Sequence, residues 1–168
     1  MNYIKIEKYS TSNGPGVRVV LWCAGCHIGC PGCQNPEAQK FDAGQHFDDS
    51  AYDELLAALN HPYIQGLTIS GGHPLEPENI GKVRSIMRVV RMALPDKDIW
   101  LYTGYKWEDI VEGESMAFTL GLCDVVVDGP YIESQRNIAL PYRGSNNQRV
   151  IDAKKSLAAG HVVLYEEP

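Results

Sequence analysis

The chain has 168 residues, 44% of them hydrophobic and 21% charged, which is typical of one soluble globular domain covering residues 1–168. The formal net charge of −6 argues against nonspecific binding to nucleic acid or to an anionic membrane, because both need a basic surface. Residues 1–9 contain no apolar signal core, and no apolar run approaches the roughly 18 residues of a membrane span. We therefore expect a cytoplasmic protein with no nucleic-acid or membrane partner.

Short apolar segments that alternate with helical patterns follow one another along the chain. Residues 17–22 are rich in β-branched side chains and predict a strand. Asp49 or Ser50 is predicted to cap a helix, and a second amphipathic helix follows Pro77. The predicted strands are residues 17–22, 66–70, 98–103 and 123–128, with short strands at 150–151 and 162–164. Two further helices are predicted at residues 107–111 and near 154–159.

This alternation indicates βα units and a mainly parallel sheet. In such sheets, ligands bind at the carboxyl ends of the strands. A cysteine-rich loop and three polar or glycine-rich turns occupy such ends, at residues 26–33, 70–74, 103–104 and 128–129. We expect these four segments to lie together and to form the functional site.

Four of the five cysteines lie between residues 23 and 33, which favours a metal site in a reducing compartment over a disulfide framework. Cys26, Cys30 and Cys33 have the spacing C-x3-C-x2-C. Three thiolates can hold three corners of a [4Fe–4S] cluster and leave the fourth iron without a protein ligand, whereas electron-transfer clusters normally have four cysteines. We favour the cluster with an open iron.

Cys23 keeps two other interpretations open. With it the spacing becomes C-x2-C-x3-C-x2-C, and four thiolates suit structural zinc or a four-cysteine electron-transfer cluster. Zinc ribbons usually place a longer span between their two knuckles, so the three residues between Cys26 and Cys30 fit zinc poorly. If Cys23 is instead a buried apolar residue that ends the strand, it binds no metal.

Several motifs together resemble the radical S-adenosylmethionine superfamily and, more closely, the activating proteins of anaerobic (class III) ribonucleotide reductases. The cysteine triplet carries the resemblance to the superfamily. The resemblance to the activating proteins depends on the Trp-x-x-Thr-Gly-Tyr and Arg-Gly-Ser-x-Asn-Gln motifs. The matching segments cover most of the chain and are residues 13–18, 25–35, 70–75, 98–105, 127–129 and 143–149.

The resemblance implies a fold, a reaction and its partners. The fold is a shortened, incomplete (βα) barrel with a mainly parallel sheet, since the chain is shorter than the ~250 residues of a complete barrel. The implied cofactors are a [4Fe–4S] cluster and S-adenosylmethionine, whose reductive cleavage yields a 5′-deoxyadenosyl radical. That radical generates a glycyl radical on the large subunit of the anaerobic reductase. Reduced flavodoxin or a similar protein is the implied electron donor.

The resemblance also assigns residues to the site. Cys26, Cys30 and Cys33 become the cluster ligands and, through the cluster, the catalytic residues. The family usually has a carboxylate at the position of His73 and an aromatic residue at that of Gln34. Protonation of His73 is expected to weaken binding of S-adenosylmethionine below pH ~6.5. The residues implied to bind S-adenosylmethionine are Gly32, Cys33, Gln34, Gly71, Gly72 and His73.

Two alternative functions and several residue roles stay open at this point. The chain could activate another glycyl-radical enzyme of the formate-lyase type, although such activases usually have a longer chain. It could also be a non-enzymatic iron–sulfur or zinc-binding module, which would leave the glycine-rich strand ends without a purpose. Asp128 is predicted either to contact the cofactor ribose or to cap a loop. The polar loop between Arg143 and Arg149 is predicted to meet either the reductase or the cofactor.

Overall fold

The computed structural model describes residues 1–166, apart from the side chains of residues 114 and 115. Within those residues the chain forms one sheet flanked by helices. The strands are β1 (Asn2–Ser10), β2 (Val17–Cys23), β3 (Gln45–His46), β4 (Ile64–Gly71), β5 (Asp98–Tyr102), β6 (Val125–Asp128) and β7 (Arg149–Asp152). The α-helices are α1 (Asp49–Leu59), α2 (Pro77–Ala93), α3 (Trp107–Glu112), α4 (Glu114–Leu120) and α5 (Ala153–Ala159). Short 3-10 helices cover Pro36–Gln39 and Glu133–Gln135.

The sheet has the strand order β3-β1-β2-β4-β5-β6-β7. Strands β2, β4, β5 and β6 are parallel to their neighbours within this central group, and antiparallel strands flank the group on both sides. The sheet is open, since β3 and β7 are its edges. The predicted α/β class and parallel core are confirmed, whereas the antiparallel flanks are not anticipated by the sequence pattern.

The main core lies on one face of this sheet. The central strands follow one another in chain order, and parallel crossovers are right-handed in nearly all proteins, so successive connections place their helices on the same face. Burial agrees, because α1 and α2 contribute Leu55, Leu59, Val83, Ile86 and Met87 to the core. We call this covered side the helix face and the opposite side the site face.

Successive residues of a strand point to opposite faces, and the two sets differ here in chemistry. The helix face receives aliphatic side chains from the central strands: Val19, Leu21, Leu67, Ile69, Ile99, Leu101 and Val126. The residues between them belong to the site face, and many carry charged, hydroxyl or aromatic groups: Arg18, Trp22, Thr68, Ser70, Trp100 and Tyr102.

A buried ion pair joins β2 to β5 on the site face. The Arg18 side chain is fully buried, with its Nη2 2.5 Å from Asp98 Oδ1 and its Nε 2.8 Å from Thr68 Oγ1. Its Cζ lies 5.3 Å from the centre of the Trp100 ring. Because a buried charge is tolerated only when it is paired, these contacts fix the register of the strands near their amino ends.

The N-cap of helix α1 lies one residue before the first of the predicted caps. Asp48 occupies the N-cap, and its Oδ1 accepts hydrogen bonds from Ala51 N at 3.1 Å and from Ser50 Oγ at 2.7 Å. The prediction that Asp49 or Ser50 caps the helix is therefore wrong. Three consecutive residues here have side chains suited to capping, and the backbone entry into the helix selects among them.

Other differences lie in β1, β6 and the last part of the chain. β1 is not predicted, since Lys5, Glu7 and Lys8 obscure its strand pattern, and it acquires its structure by pairing with β2. β6 begins at Val125 rather than at residue 123. Within the predicted strand at residues 162–164, only Leu164 forms an isolated bridge, to Ile151 of β7. Helix α4 is also not predicted. Across residues 1–166, no helix combines the length and the apolar character needed to cross a membrane.

Candidate functional site

The carboxyl ends of the parallel strands meet in a depression that we call the cluster pocket. Its walls come from the loop after β2, from the turns after β4, β5 and β6, and from the segment before β7. The four strand-end segments are thus brought together as predicted. The lining residues are Asn13, Trp22, Cys26, Ile28, Cys30, Cys33, Gln34, Asn35, Gln39, Ser70, Gly71, Gly72, His73, Tyr102, Thr103, Gly104, Gly129, Tyr131, Gly144 and Gln148.

The structure separates the cysteine triplet from the other two cysteines. Cys26, Cys30 and Cys33 are partly exposed and line the cluster pocket. Cys23 ends β2 on the helix face and is fully buried in the main core, as is Cys123. Burial raises the pKa of the Cys23 thiol to about 12. Since metals bind the thiolate, the environment of Cys23 opposes ligation.

The cysteine sulfur atoms do not converge on a single point among residues 1–166. Four thiolates bound to one zinc ion at about 2.3 Å would lie about 3.8 Å from one another. Within residues 1–166, the group of potential ligand atoms that all lie within 4.8 Å of one another is His27, Glu76 and Glu78, without any cysteine. As they are placed here, no three cysteines among residues 1–166 converge closely enough to share one zinc ion. A [4Fe–4S] cluster does not require that convergence, because each of its cysteines binds a separate iron.

The backbone of the cysteine loop supports the first cysteine of the triplet. Cys26 N donates to Gln39 O at 3.0 Å, which ties the loop to the 3-10 helix at Pro36–Gln39. Burial raises the pKa of the Cys26 thiol, and the Glu76 carboxylate adds to this rise, while hydrogen bonds from the backbone of residues 28 and 29 oppose it. The loop therefore offers N–H donors to sulfur at this position.

Gly71 and Gly72 form the turn after β4, where the cluster pocket and the cysteine loop meet. Gly71 has a φ of 105°, which residues with a Cβ rarely adopt. A Cβ at Gly71 would lie 2.5 Å from Cys23 O, and one at Gly72 would lie 2.5 Å from Gly25 O. Close backbone packing therefore requires glycine at both positions, whatever ligand the pocket takes.

His73 has both ring nitrogens hydrogen-bonded within the protein. It is 1% exposed, with Nδ1 3.0 Å from Glu76 Oε1 and Nε2 2.8 Å from Thr103 Oγ1. Because an ionised carboxylate can only accept, Nδ1 carries the proton and Nε2 accepts from the Thr103 hydroxyl. Burial lowers the pKa of His73, which keeps the ring neutral near pH 7. His73 thus links the turns after β4 and β5.

Glu76 is a buried carboxylate that sequence reasoning missed. It is 1% exposed, and it accepts hydrogen bonds from His27 N at 2.9 Å and from His27 Nδ1 at 3.0 Å in addition to the one from His73. Burial alone would raise the pKa of Glu76, but these hydrogen bonds outweigh it and lower the pKa. The available signal was an acidic residue three positions after a histidine, next to a glycine-rich strand end.

Residues 129–148 form a further wall of the cluster pocket. Gln148 Oε1 accepts from Gly144 N at 2.9 Å, and Gln148 Nε2 donates to Gly129 O at 3.1 Å. Gly144 packs against the Gln34 side chain, since a Cβ at Gly144 would lie 3.1 Å from Gln34 Nε2. The Arg-Gly-Ser-x-Asn-Gln motif therefore folds through its own hydrogen bonds and brings its loop beside Gln34.

Of the two roles predicted for Asp128, the structure favours the structural one. Asp128 is 1% exposed, and its Oδ2 accepts from Trp107 N at 2.8 Å at the start of α3. Its Oδ1 lies 3.1 Å from Arg149 Nε, and a second bond joins Oδ2 to Arg149 Nη2. Asp128 thus holds α3 and the β7 strand in place beneath the pocket wall.

A second depression, the side groove, adjoins the cluster pocket. The two share Asn13, Trp22, Gln34, Tyr102, Tyr131 and Gly144, and the groove continues along residues 133–143. Of the residues predicted for the S-adenosylmethionine site, Gly32 lines the side groove rather than the pocket. The others line the cluster pocket: Cys33, Gln34, Gly71, Gly72 and His73.

Sequence reasoning also missed the aromatic part of the pocket. Trp22 and Tyr102 lie in strands that the sequence predicts, at positions that point to the site face. Trp22 Nε1 donates to Glu7 Oε2 at 2.9 Å, and Tyr102 Oη donates to Tyr142 O at 2.6 Å. The signal was their alternation with the aliphatic residues of β2 and β5.

Comparison with known families agrees with the chemistry of the pocket. The profile of the family described as "4Fe-4S single cluster domain" matches residues 12–151, which include the cysteine triplet and the strand-end turns. Fold and site therefore define an iron–sulfur protein with a single-cluster domain.

Curated relatives narrow this class. The anaerobic ribonucleoside-triphosphate reductase-activating protein of Enterobacteria phage T4 is 42% identical over 150 residues, which are 89% of this chain and 93% of the phage protein. Proteins of the same name from Escherichia coli K12 and Haemophilus influenzae are 36% and 38% identical. The matches cover 89% and 88% of this chain, and 97% and 96% of those proteins. The chain belongs to the family of anaerobic ribonucleoside-triphosphate reductase-activating proteins.

Proposed function

We propose that this protein is a radical S-adenosylmethionine activase that generates a glycyl radical on the large subunit of anaerobic ribonucleotide reductase. The observation that carries the proposal is the cluster pocket, which joins three partly exposed cysteines to the glycine-rich strand ends while Cys23 stays in the core. A [4Fe–4S] cluster with an open iron supplies, when reduced, the electron that cleaves S-adenosylmethionine to methionine and a 5′-deoxyadenosyl radical. The target enzyme is taken from the names of the relatives.

The chain's own residues hold and orient the reactants in this proposal. Cys26, Cys30 and Cys33 hold three irons and are the catalytic residues through the cluster. Backbone groups of the turn after β4 face the pocket and bind the methionine end of S-adenosylmethionine. The aromatic rings of Trp22 and Tyr102 provide apolar surface. The proposed S-adenosylmethionine contacts are Gly32, Cys33, Gln34, Gly71, Gly72 and His73.

To contact S-adenosylmethionine, the His73 ring must give up its hydrogen bond to Thr103 and form one with the cofactor instead. Its Nε2 is the acceptor of the neutral ring, and in the structure the Thr103 hydroxyl occupies that acceptor. Burial lowers the pKa of His73 below its ordinary value of about 6.5. Any loss of S-adenosylmethionine affinity through protonation of His73 should therefore occur at a pH below about 6.5.

The open sheet supports a route for a protein substrate. We infer that the sheet acts as an incomplete (βα) barrel of the radical S-adenosylmethionine type, with the cofactor on the site face. The side groove leads into the cluster pocket through the shared residues, and a glycine-bearing loop of the reductase would enter along it. The electron comes from reduced flavodoxin or a similar donor.

The test is a complete reaction under anaerobic conditions. Reconstituted protein, reduced with dithionite, is mixed with S-adenosylmethionine and the large subunit of a class III reductase. We expect 5′-deoxyadenosine together with the EPR doublet of a glycyl radical. A formate-lyase-type enzyme in place of the reductase is the specificity control, and it should give no doublet.

Two cysteine variants give matched controls for this reaction. Cys30→Ser should abolish both products, whereas Cys23→Ser should retain them. Zinc in the purified protein, with no iron even after anaerobic preparation, would falsify the proposal.

A further inference from the structure

Glu76 is placed between three loops of the cluster pocket, although it does not line the pocket itself. It lies just before α2, yet its carboxylate reaches back to the cysteine loop, where it accepts from both the backbone N–H and the ring of His27. His27 directly follows Cys26, the first cysteine of the triplet. A rigid contact at His27 therefore constrains the position of Cys26.

The same carboxylate fixes the other side of the pocket. Glu76 Oε1 accepts a hydrogen bond from His73 Nδ1, and His73 Nε2 in turn accepts one from the Thr103 hydroxyl. Thr103 Oγ1 also accepts from Tyr105 N at 3.1 Å. One carboxylate thus connects the loops after β2, β4 and β5 in a continuous chain of hydrogen bonds.

The burial of Glu76 gives its charge a second effect. Its side chain is 2% exposed, so water and salt screen the charge weakly. Its hydrogen-bond donors at His27 and His73 keep it ionised, and its field already acts on Cys26. A fixed negative charge near an iron–sulfur cluster disfavours the added electron, because cluster potentials depend on local charge and hydrogen bonding.

We propose that Glu76 is a positioning residue of the iron–sulfur site: its buried carboxylate fixes the cysteine loop against the turns after β4 and β5, and its charge lowers the reduction potential of the cluster. This inference rests on the proposed function for the presence of the cluster, but its positioning part concerns the polypeptide alone.

Glu78 offers a matched control for the charge. Its carboxylate lies in the same group as His27 and Glu76, within 4.8 Å, but Glu78 is exposed. Glu78→Gln removes the same charge from a solvated position, where screening weakens its field. Glu76→Gln removes the charge from the buried position and keeps the side-chain shape, and Glu76→Asp keeps the charge.

The first measurement is amide hydrogen exchange on the full-length chain before cluster reconstitution. The His27 amide should exchange at least about tenfold faster in Glu76→Gln than in the wild type. The reason is that the carboxylate oxygen is replaced either by the glutamine Nε2, which cannot accept, or by its neutral Oε1, which accepts more weakly. The Leu101 amide, in the central strand β5, reports global stability. Equal exchange at His27 in Glu76→Gln, Glu78→Gln and wild type would overturn the positioning role.

The second measurement is an EPR-monitored redox titration of the reconstituted protein. At the potential that half-reduces the wild-type cluster, we expect Glu76→Gln to favour the reduced form by about tenfold, which is a rise of ~59 mV for one electron. Glu78→Gln and Glu76→Asp should stay near the wild-type value. An unchanged potential in Glu76→Gln, or an equal rise in Glu78→Gln, overturns the electrostatic role. A wild-type chain that assembles no cluster contradicts the proposed function instead, and the exchange measurement still decides the positioning role.

Discussion

The helix face and the site face are built from alternate residues of the same strands, yet they are composed differently. In β5, Ile99 and Leu101 point into an aliphatic core, while Trp100 and Tyr102 lie among an ion pair, hydroxyl groups and other rings. The helix face is stabilised by buried apolar area, which requires no specific pairing of groups. Many combinations of aliphatic side chains would therefore be compatible with it. On the site face each polar group needs a particular partner. The comparison indicates that the helix face carries the stability of the fold and the site face carries its chemistry.

The largest expected effect separates the cysteines of the two faces. Cys26→Ser, Cys30→Ser or Cys33→Ser should abolish the visible absorption of the reconstituted cluster, because each removes one of its proposed ligands. Cys23→Ser should keep that absorption, since Cys23 lies in the helix-face core. Iron content and the visible spectrum after anaerobic reconstitution provide the measurement. Loss of the cluster in Cys23→Ser would support a four-ligand site that includes a residue of the helix face.

The next effect tests the stability of the helix face. Leu101→Ala leaves a cavity in the fully buried main core and should lower the free energy of unfolding by about 2–5 kcal/mol. Denaturant unfolding of the full-length, cluster-free chain measures it. A loss below about 1 kcal/mol would mean that the helix face is less tightly packed than its burial indicates.

A smaller effect is expected one residue further along the same strand. Tyr102→Phe removes the hydroxyl that donates to Tyr142 O at 2.6 Å, while the ring still fills its place. The expected loss is about 1 kcal/mol, measured in the same unfolding experiment. A loss as large as that of Leu101→Ala would show that the site face contributes to stability as strongly as the helix face.

The smallest effect is the response of stability to acid. Burial lowers the pKa of His73, so the unfolded chain takes up this proton first as the pH falls. The stabilising contribution of neutral His73 is therefore present above about pH 6.5 and is lost as the pH falls through the lower folded-state value. The pKa of Glu76 is lowered by hydrogen bonds from His27 and His73 that outweigh its burial, so its contribution is lost at more acidic pH.

His73→Asn isolates the upper part of this pH response. It should flatten the dependence of unfolding free energy on pH between about 5 and 7. The pKa of the exposed His27 is raised by its hydrogen bond to Glu76. In the wild type and in His73→Asn alike, His27 therefore adds stability as the pH falls, which is opposite to the effect of His73. An unchanged slope in His73→Asn would show that His73 is not the group that titrates.

The sequence predicts the parallel core and the cysteine triplet because both depend on local patterns. Short apolar runs mark β2, β4 and β6, and the spacing of Cys26, Cys30 and Cys33 is directly readable. β1 is missed because its sequence contains several charged residues and forms a strand only by pairing with β2. Glu76 is missed because its partners, His27 and His73, converge only after three strand ends meet. Contacts across the fold leave no periodic signal in the chain.

The open sheet leaves two edges that could pair with other chains, and the fold protects both. Exposed strand edges are templates for aggregation, which proteins avoid by shortening or covering them. At one edge β3 is two residues long. At the other, β7 is covered by the segment that follows α5, through hydrogen bonds from Asp152 N to Val163 O and from Tyr165 N to Val150 O. The open sheet therefore offers little free backbone for unwanted β-sheet growth.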